Sequence, residues 1–207
     1  DWVSEMREQI RLWFYSQLFM SVALIGKAPF RKVLGYEKML DEHGKEMHGS
    51  WGNMIDAEDA FARMGADVMR WQYCAQPPDR NLLFGFGPAQ EIKRRLLTLW
   101  NSAKFLGDYG AIESFQPVYA DLERGGPAAA DLQPLDRWLV ERTAQLVSEA
   151  EAGYERWLTV DVTRAFDAYV DDLSHWYIRR SRRRPWDGEQ AALRTLHYVD
   201  VVQPFGQ

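Results

Sequence analysis

The chain has 207 residues, enough for one large domain or two small ones, and 46% of them are hydrophobic, so a packed core is expected and disorder is not. A net charge of −5 excludes a globally basic nucleic-acid binder, so any such binding has to come from local clusters. One cysteine, Cys74, excludes an internal disulfide framework; four scattered histidines leave no sequence-local zinc pattern; no apolar run approaches the roughly 20 residues of a membrane span.

The first residue is Asp, not Met, and no basic start followed by an apolar stretch marks a signal peptide. Residues 9–25 predict a helix passing into an apolar element, with Trp13, Leu18, Met20 and Leu24 as bulk and residues 18–25 as a core segment. Gly26-Lys-Ala-Pro29 breaks it. Residues 30–40, with Val33, Leu34 and Tyr36, predict a short buried strand, Asp41-Glu-His-Gly44 a turn, and residues 44–53 a polar loop. Asp56 is placed to cap a helix, with Asp59 three residues on, and Ala57, Ala60, Phe61 and Met64 form its apolar face. Gly65 ends it, Asp67 can cap a second helix over residues 68–75 that takes Cys74 into the core, and Pro77-Pro78 stops that one.

After Gly85-Phe-Gly-Pro88 the pattern is helical throughout. Ile92, Leu96, Leu99, Trp100, Ala103 and Leu106 recur at helical intervals. Gly125-Gly-Pro-Ala-Ala-Ala130 reads as a flexible surface connection. A helix starts near Pro134, a good first-turn residue, with a stripe of Leu135, Trp138, Leu139, Leu146, Val147, Ala150, Tyr154 and Trp157. Another runs from about Val162 through Phe166, Tyr169, Val170, Leu173, Trp176 and Tyr177. Residues 189–203 predict a further helix, and together these antiparallel amphipathic helices imply a bundle.

Five arginines lie within residues 179–184, interrupted only by Ser181 and preceded by Trp176 and Tyr177. A guanidinium fork matches phosphate oxygens in pairs and keeps its charge at any working pH, so such a helix end beside exposed aromatics can grip a nucleic-acid backbone. Cations that simply complement the helix macrodipole are the other reading of the same residues.

Taken together, five ordered motifs resemble isoleucyl-tRNA synthetase, a class I aminoacyl-tRNA synthetase. Gln9-Ile-Arg-Leu-Trp-Phe14 is similar to that family's Q-x-R-G-W-F segment. Residues 41–53, with Met47, Ser50, Gly52 and Asn53, resemble its K-M-S-K-S loop and the L-G-N that follows. Gly65-Ala-Asp67 with Arg70-Trp71 matches G-A-D-x-x-R-W, and Leu96-Leu-Thr-Leu-Trp-Asn101 matches the helix leading into the bundle. Leu135-Asp-Arg-Trp-Leu139 and the stretch from Phe166 to the arginines resemble the anticodon-binding bundle. The valyl and leucyl relatives share the architecture, but Trp-Tyr before R-R-S-R-R-R fits the isoleucyl type best.

The resemblance implies an α/β remnant, the end of a Rossmann-type catalytic domain over residues 1–87, followed by an incomplete all-α anticodon-binding helical bundle over 88–207. The family's H-I-G-H element and editing insertion would precede Asp1, and the bundle's end would follow Gln207, so a fragment or a truncated relative is expected. Such an enzyme activates isoleucine with ATP, with Mg2+ expected, and loads tRNA(Ile). A cytoplasmic, monomeric parent is implied, without a membrane partner and without a metal site in this chain. By itself the fragment is expected not to aminoacylate.

Carried over residue by residue, Glu5-Met-Arg-Glu-Gln9 matches E-G-x-D-Q, so Glu5, Glu8 and Gln9, with Trp13 beside them, are implied to hold the aminoacyl-adenylate. Met6 and Leu12 stand where the family has glycines. The signature loop reads Glu46-Met-His-Gly-Ser50, so both lysines are lost, the first to Glu46 and the second to Gly49. Losing one preorganised electrostatic donor commonly costs about 10²–10³ in rate. A weakened or rearranged ATP site is therefore expected, with Lys45 and His48 as candidate substitutes. Lys45, His48 and Ser50 are the implied catalytic set, joined by Met47 and Gly49 around the ATP. Trp176, Arg179, Arg180, Arg182 and Arg183 are the implied tRNA contacts; not all of the arginines can face one way on a helix, so some must be structural. Two other readings stay open: a non-catalytic tRNA-binding remnant of a synthetase, and a protein-interaction module.

Overall fold

The structure is a computed structural model that describes residues 2–202, so Gln203 of the last predicted helix and the tail after it lie outside the described residues. The chain divides into two compact units, Asp1–Gln90 and Glu91–Gln207. Helix dominates, and the strands are short and parallel. Among the described residues no helix is long and apolar enough to cross a membrane.

In the first unit, strand β1 (Trp2–Met6) pairs in parallel with β2 (Lys32–Tyr36), Val3 opposite Val33 and Glu5 opposite Gly35. Parallel neighbours need a crossover, here a 3₁₀ turn at Arg7–Arg11 and helix α1 (Trp13–Ile25). Gly26, at φ +66°, ends α1 in the left-handed conformation and donates its N–H to Val22 O. Residues 18–25 are not the core segment expected: Leu24 is 82% exposed, and only Phe14 of α1 is buried, edge-on to Phe30 at 5.9 Å. The helix is apolar nearly all round, and a two-stranded sheet can cover one side of it.

Residues 30–40 are likewise not one buried strand. They break at Glu37 and Lys38 into β2 and β3 (Met39–Asp41), which belong to different sheets, and Val33, Tyr36 and Met39 are exposed. The crossover from β3 carries a 3₁₀ turn at Gly49–Trp51 and helices α2 (Ala57–Arg63) and α3 (Ala66–Cys74), and returns as β4 (Leu82–Phe84), parallel to β3. Asp56 caps α2 by accepting the Glu58 N–H at 2.9 Å. Of the expected apolar face Ala60 and Met64 are buried, while Phe61 is exposed. α3 begins two residues earlier than expected because Gly65, at φ +90°, makes the turn that no L side chain takes easily; Asp67 lies inside the first turn. Cys74 is half-buried rather than core.

Helix α4 (Phe86–Ile112) starts ahead of Pro88, which its first turn tolerates. Glu42 accepts the Gly87 N–H at 2.8 Å, and a Cβ on Gly85 would stand 2.6 Å from Glu42 Cβ, so glycine there makes room for that cap. Trp100, expected in the core, is exposed.

In the second unit α5 (Ala120–Glu123) and a 3₁₀ turn at Ala129–Asp131 precede α6 (Pro134–Glu155) and α7 (Thr159–Asp171). α7 widens into a π-helical stretch, Asp172–Ile178, and continues as α8 (Arg179–Ser181), α9 (Arg183–Trp186) and α10 (Gln190–Val202). The core gathers Leu139, Leu146, Tyr169, Leu173, Tyr177, Leu196 and Val199. Tyr154, assigned by periodicity to the α6 stripe, is exposed. α6 and α7 approach closely because residue 153 is glycine, whose Cβ would meet Val162 Cγ2 at 2.6 Å. The Gly125-Gly-Pro segment is packed rather than a flexible surface link. Gly126 and Pro127 are buried, Gly126 N–H donates to Asp121 O, and the Tyr198 hydroxyl donates to Gly125 O at 2.8 Å.

Candidate functional site

The sequence candidates of the first unit divide between the end of β1 and the loop after β3. Glu5 is the next-to-last residue of β1, and its Oε2 accepts the Tyr36 hydroxyl at 3.2 Å and the Met6 N–H at 3.3 Å. Glu8 and Gln9 ride the 3₁₀ turn. Gln9 Oε1 accepts the Trp13 N–H at 3.3 Å, so it supplies the start of α1 with an acceptor that Leu12 lacks. Trp13 is half-exposed beside Phe14, ring centroids 5.3 Å apart.

The loop is built on Asp41, which is buried at the end of β3. Its Oδ1 accepts the N–H groups of His43 (3.0 Å) and Lys45 (2.8 Å), and its Oδ2 accepts Asn53 Nδ2 at 2.9 Å. The bond from Asn53, then that from the Lys45 backbone, hold this carboxyl below the usual carboxylate range. Asn53 also donates to Glu46 O at 2.9 Å and accepts the His48 N–H at 3.1 Å. Residues 45–53 are thus closed at their base by one side-chain pair, Asp41 and Asn53. Ser50 lies in the exposed 3₁₀ turn with Gly49, and Gly52, at φ +72°, ends that turn. Met47 is half-buried.

Glu46, at the first lysine position of the motif, is engaged. Lys38 Nζ donates to its Oε1 at 2.9 Å, and His48 Nε2 stands 3.7 Å from its Oε2. Lys38 Nζ is also 3.9 Å from Glu8 Oε1, so one ammonium bridges the 3₁₀ turn and the loop. The Lys38–Glu46 hydrogen bond raises the lysine and lowers the carboxyl, so both stay charged over any working pH. The His48 ring packs edge-on against Trp51, centroids 4.4 Å apart. Lys45 makes no ion pair among the described residues; its N–H and carbonyl bond to Asp41. The loop thus brings Glu8, Lys38, Glu46 and His48 together, and Lys45 is not among them. Lys38 was missed because no spacing rule couples residues 8, 38 and 46; the coupling needs the β2–β3 break and the bridge that pairs Leu40 with Glu46.

In the second unit the arginine run is sorted by helical spacing. Tyr177, Ser181 and Arg184, at intervals of four and three, face inward. The Tyr177 hydroxyl donates to Asp136 Oδ1 at 2.6 Å, and Arg184 forks onto both Asp136 oxygens at 2.7 Å while its Nε donates to Glu189 at 2.8 Å. Asp136 is fully buried. Burial pushes its carboxyl up, but the bonds from Arg184 and Tyr177 outweigh that and hold it low. Asp136 also accepts the Gln133 N–H at 3.0 Å at the start of α6. Tyr177, which the apolar stripe assigned to the core and the arginines beside it left open as an exposed aromatic, is a core residue, with its hydroxyl pushed up first by burial and then by Asp136. Arg179, Arg180, Arg182 and Arg183 point outward and make no ion pair among the described residues. Arg180 lies 3.7 Å over the ring of Trp176, which is 45% exposed and edge-on to Trp138. This surface offers four fixed positive charges and one half-open indole.

Residues 1–84 match the family model of tRNA synthetases class I (I, L, M and V), and residues 136–200 match that of the anticodon-binding domain of tRNA ligase. An isoleucine--tRNA ligase of Methanopyrus kandleri is 37% identical over 206 residues, and one of Thermus thermophilus 34% identical over 210. These alignments cover 96% and 98% of this chain but 19% of each relative, so the chain spans about a fifth of the length of the curated relatives it matches. Among solved structures, Agrobacterium radiobacter LeuRS, crystallised in a ternary complex with tRNA and LeuAMS, superposes with a TM-score of 0.74 at 15% identity, over 96% of this chain and 24% of that one.

Proposed function

The chain belongs to the class I aminoacyl-tRNA synthetases, and from that premise we propose that it is the part of an isoleucine--tRNA ligase that handles ATP phosphates and grips tRNA(Ile). In this reading residues 1–87 end the catalytic domain and residues 88–207 begin the anticodon-binding bundle. The observation that carries it is the loop of residues 45–53, closed by Asp41 and Asn53 and tied through Lys38 to the turn bearing Glu8. An exposed loop with so fixed a base can fold over a nucleotide without rebuilding the strands beneath it.

Lys45, His48 and Ser50 face the phosphates in this proposal, with Met47 and Gly49 completing the ATP contact. Glu5, Glu8, Gln9 and Trp13 hold the aminoacyl-adenylate. Carboxylates suit that task because they accept bonds from a ribose hydroxyl and from an ammonium. Mg2+ arrives with the nucleotide, held by its phosphates; among the described residues no three His, Cys, Asp or Glu side chains gather as a resident metal would need. Trp176, Arg179, Arg180, Arg182 and Arg183 meet the tRNA, the arginines at phosphates and the indole as a stacking surface. The whole enzyme is read as a cytoplasmic monomer.

Amino-acid-dependent ATP–pyrophosphate exchange by the full-length protein is the test. Exchange with isoleucine, exceeding that with valine, is the expected result. A second reading, a tRNA-binding remnant without catalysis, is favoured by one observation: neither lysine of the signature motif is present. Absent exchange with retained tRNA binding would select it.

A further inference from the structure

We propose that Lys38 supplies a phosphate-facing cation in place of one of the two signature lysines that the loop has lost, and that Glu46 is the residue that positions it. The inference rests on the reading above that this loop handles ATP. A carboxylate at position 46 would, alone, repel a polyphosphate. It is not alone: Lys38 Nζ lies 2.9 Å from one oxygen and His48 Nε2 3.7 Å from the other. The ammonium is delivered from firm backbone rather than from the loop. Glu37 N–H donates to Pro78 O at 3.0 Å, Lys38 O accepts the Leu82 N–H at 2.9 Å, and the Glu37 carboxylate is held by Arg7 at 2.8 Å. Its position is also the right one. At 3.9 Å from Glu8 it stands between the turn read as holding the adenylate and the loop read as holding the phosphates.

The Lys38 and Glu46 side chains are about half exposed, so an incoming phosphate can take the ammonium from Glu46 without opening a core. Lysine is a compact charge on a flexible four-carbon stem, suited to such an exchange of partners. In adenylate formation an amino-acid carboxylate oxygen bonds to the α-phosphorus while the bond from that phosphorus to the bridging oxygen breaks. The electron pair leaves with pyrophosphate, and no proton is transferred. Lys38 meets the negative charge gathering on the departing oxygens, where a fixed donor is most effective. Glu46 keeps the stem aimed at that place before substrate arrives.

The test is ATP–pyrophosphate exchange by the full-length protein carrying substitutions at both positions, with thermal melts alongside. Lys38→Met should lower kcat by about 10²–10³-fold, and Lys38→Arg should retain part of the rate. Glu46→Gln should lower kcat roughly 10- to 100-fold and should have no further effect in the Lys38→Met background. Melting temperatures should not move, because the pair is a surface one. Unchanged exchange in Lys38→Met overturns the proposal. So does faster exchange in Glu46→Gln, which would mean that the carboxylate only repels phosphate. A wild-type protein without exchange for any amino acid overturns the function reading itself, and this inference with it.

Discussion

Helices α1 and α10 are both 13 residues long and both rich in apolar side chains, yet they end in opposite environments. α10 completely buries Ala192, Leu193, Leu196 and Val199, whereas α1 buries Phe14 and leaves Tyr15, Phe19, Val22, Leu24 and Ile25 exposed. α10 interleaves Arg194 between its apolar positions, so one face goes to the core while the guanidinium reaches Asp121 and Asp131. α1 has apolar residues on every side, which is the pattern of a helix surrounded by other elements. Charge follows the same division. In the second unit Asp136 is saturated by Arg184 and Tyr177, and Asp121, equally buried, by Arg194 and Arg124. In the first unit Lys38, Glu46, Glu8 and His48 are exposed and loosely shared. Both units bury apolar side chains, Met64, Val68 and Phe84 among them in the first, but only the first also leaves an apolar helix largely exposed.

The largest effect expected from breaking this contrast is on the buried acid. Asp136→Ala should destabilise the chain by about 3–5 kcal/mol, because Arg184 and Tyr177 would be left without their buried partner; chemical denaturation followed by tryptophan fluorescence reads it. The pH dependence has a definite sign. Asp136 titrates below its unfolded value in the folded chain, so its contribution is present above about pH 4 and is lost as pH falls through the lower folded value. Asp200 works the other way: burial pushes its carboxyl up to about 7, so the stability tied to its protonated form is present below about pH 4 and is lost as pH rises towards 7. A melting profile that rises from about pH 2 to 4 and then declines towards 7 is the expected outcome.

Next in size is the apolar surface of α1. The isolated chain should self-associate, since exposed apolar patches of this extent seek cover. Leu24→Gln with Ile25→Gln should shift sedimentation towards monomer with a change in stability of no more than about 0.5 kcal/mol. Equal self-association in the double variant would place the sticky surface elsewhere.

The smallest expected effect separates arginines that neighbour each other in sequence. Replacing Arg179 and Arg183 by Gln should leave melting unchanged and flatten the dependence of log tRNA affinity on log salt by about 0.7–0.9 for each phosphate no longer neutralised. Replacing Arg184 should instead behave as the Asp136 variant does, since the two are one buried pair.

Much of this was legible beforehand. The start of α6 at Pro134, the Asp56 cap, the core stripe through Tyr169 and Leu173, and the order of the family motifs all follow from local rules of spacing and capping. What the sequence did not yield are pairings between distant residues. Asp136 and Arg184 are 48 positions apart, and Gly125 and Tyr198 are 73 apart. Lys38 reaches Glu46 only because the chain breaks between two strands that periodicity had merged into one. By itself the sequence determined most of the helices, the Asp56 cap, the start at Pro134 and the family, because those depend on neighbours within a turn or on motif order. Only the tertiary structure decided which arginine is structural, which cation meets Glu46 and which apolar helix is left uncovered. Those outcomes depend on which surfaces the fold brings within hydrogen-bonding or van der Waals distance.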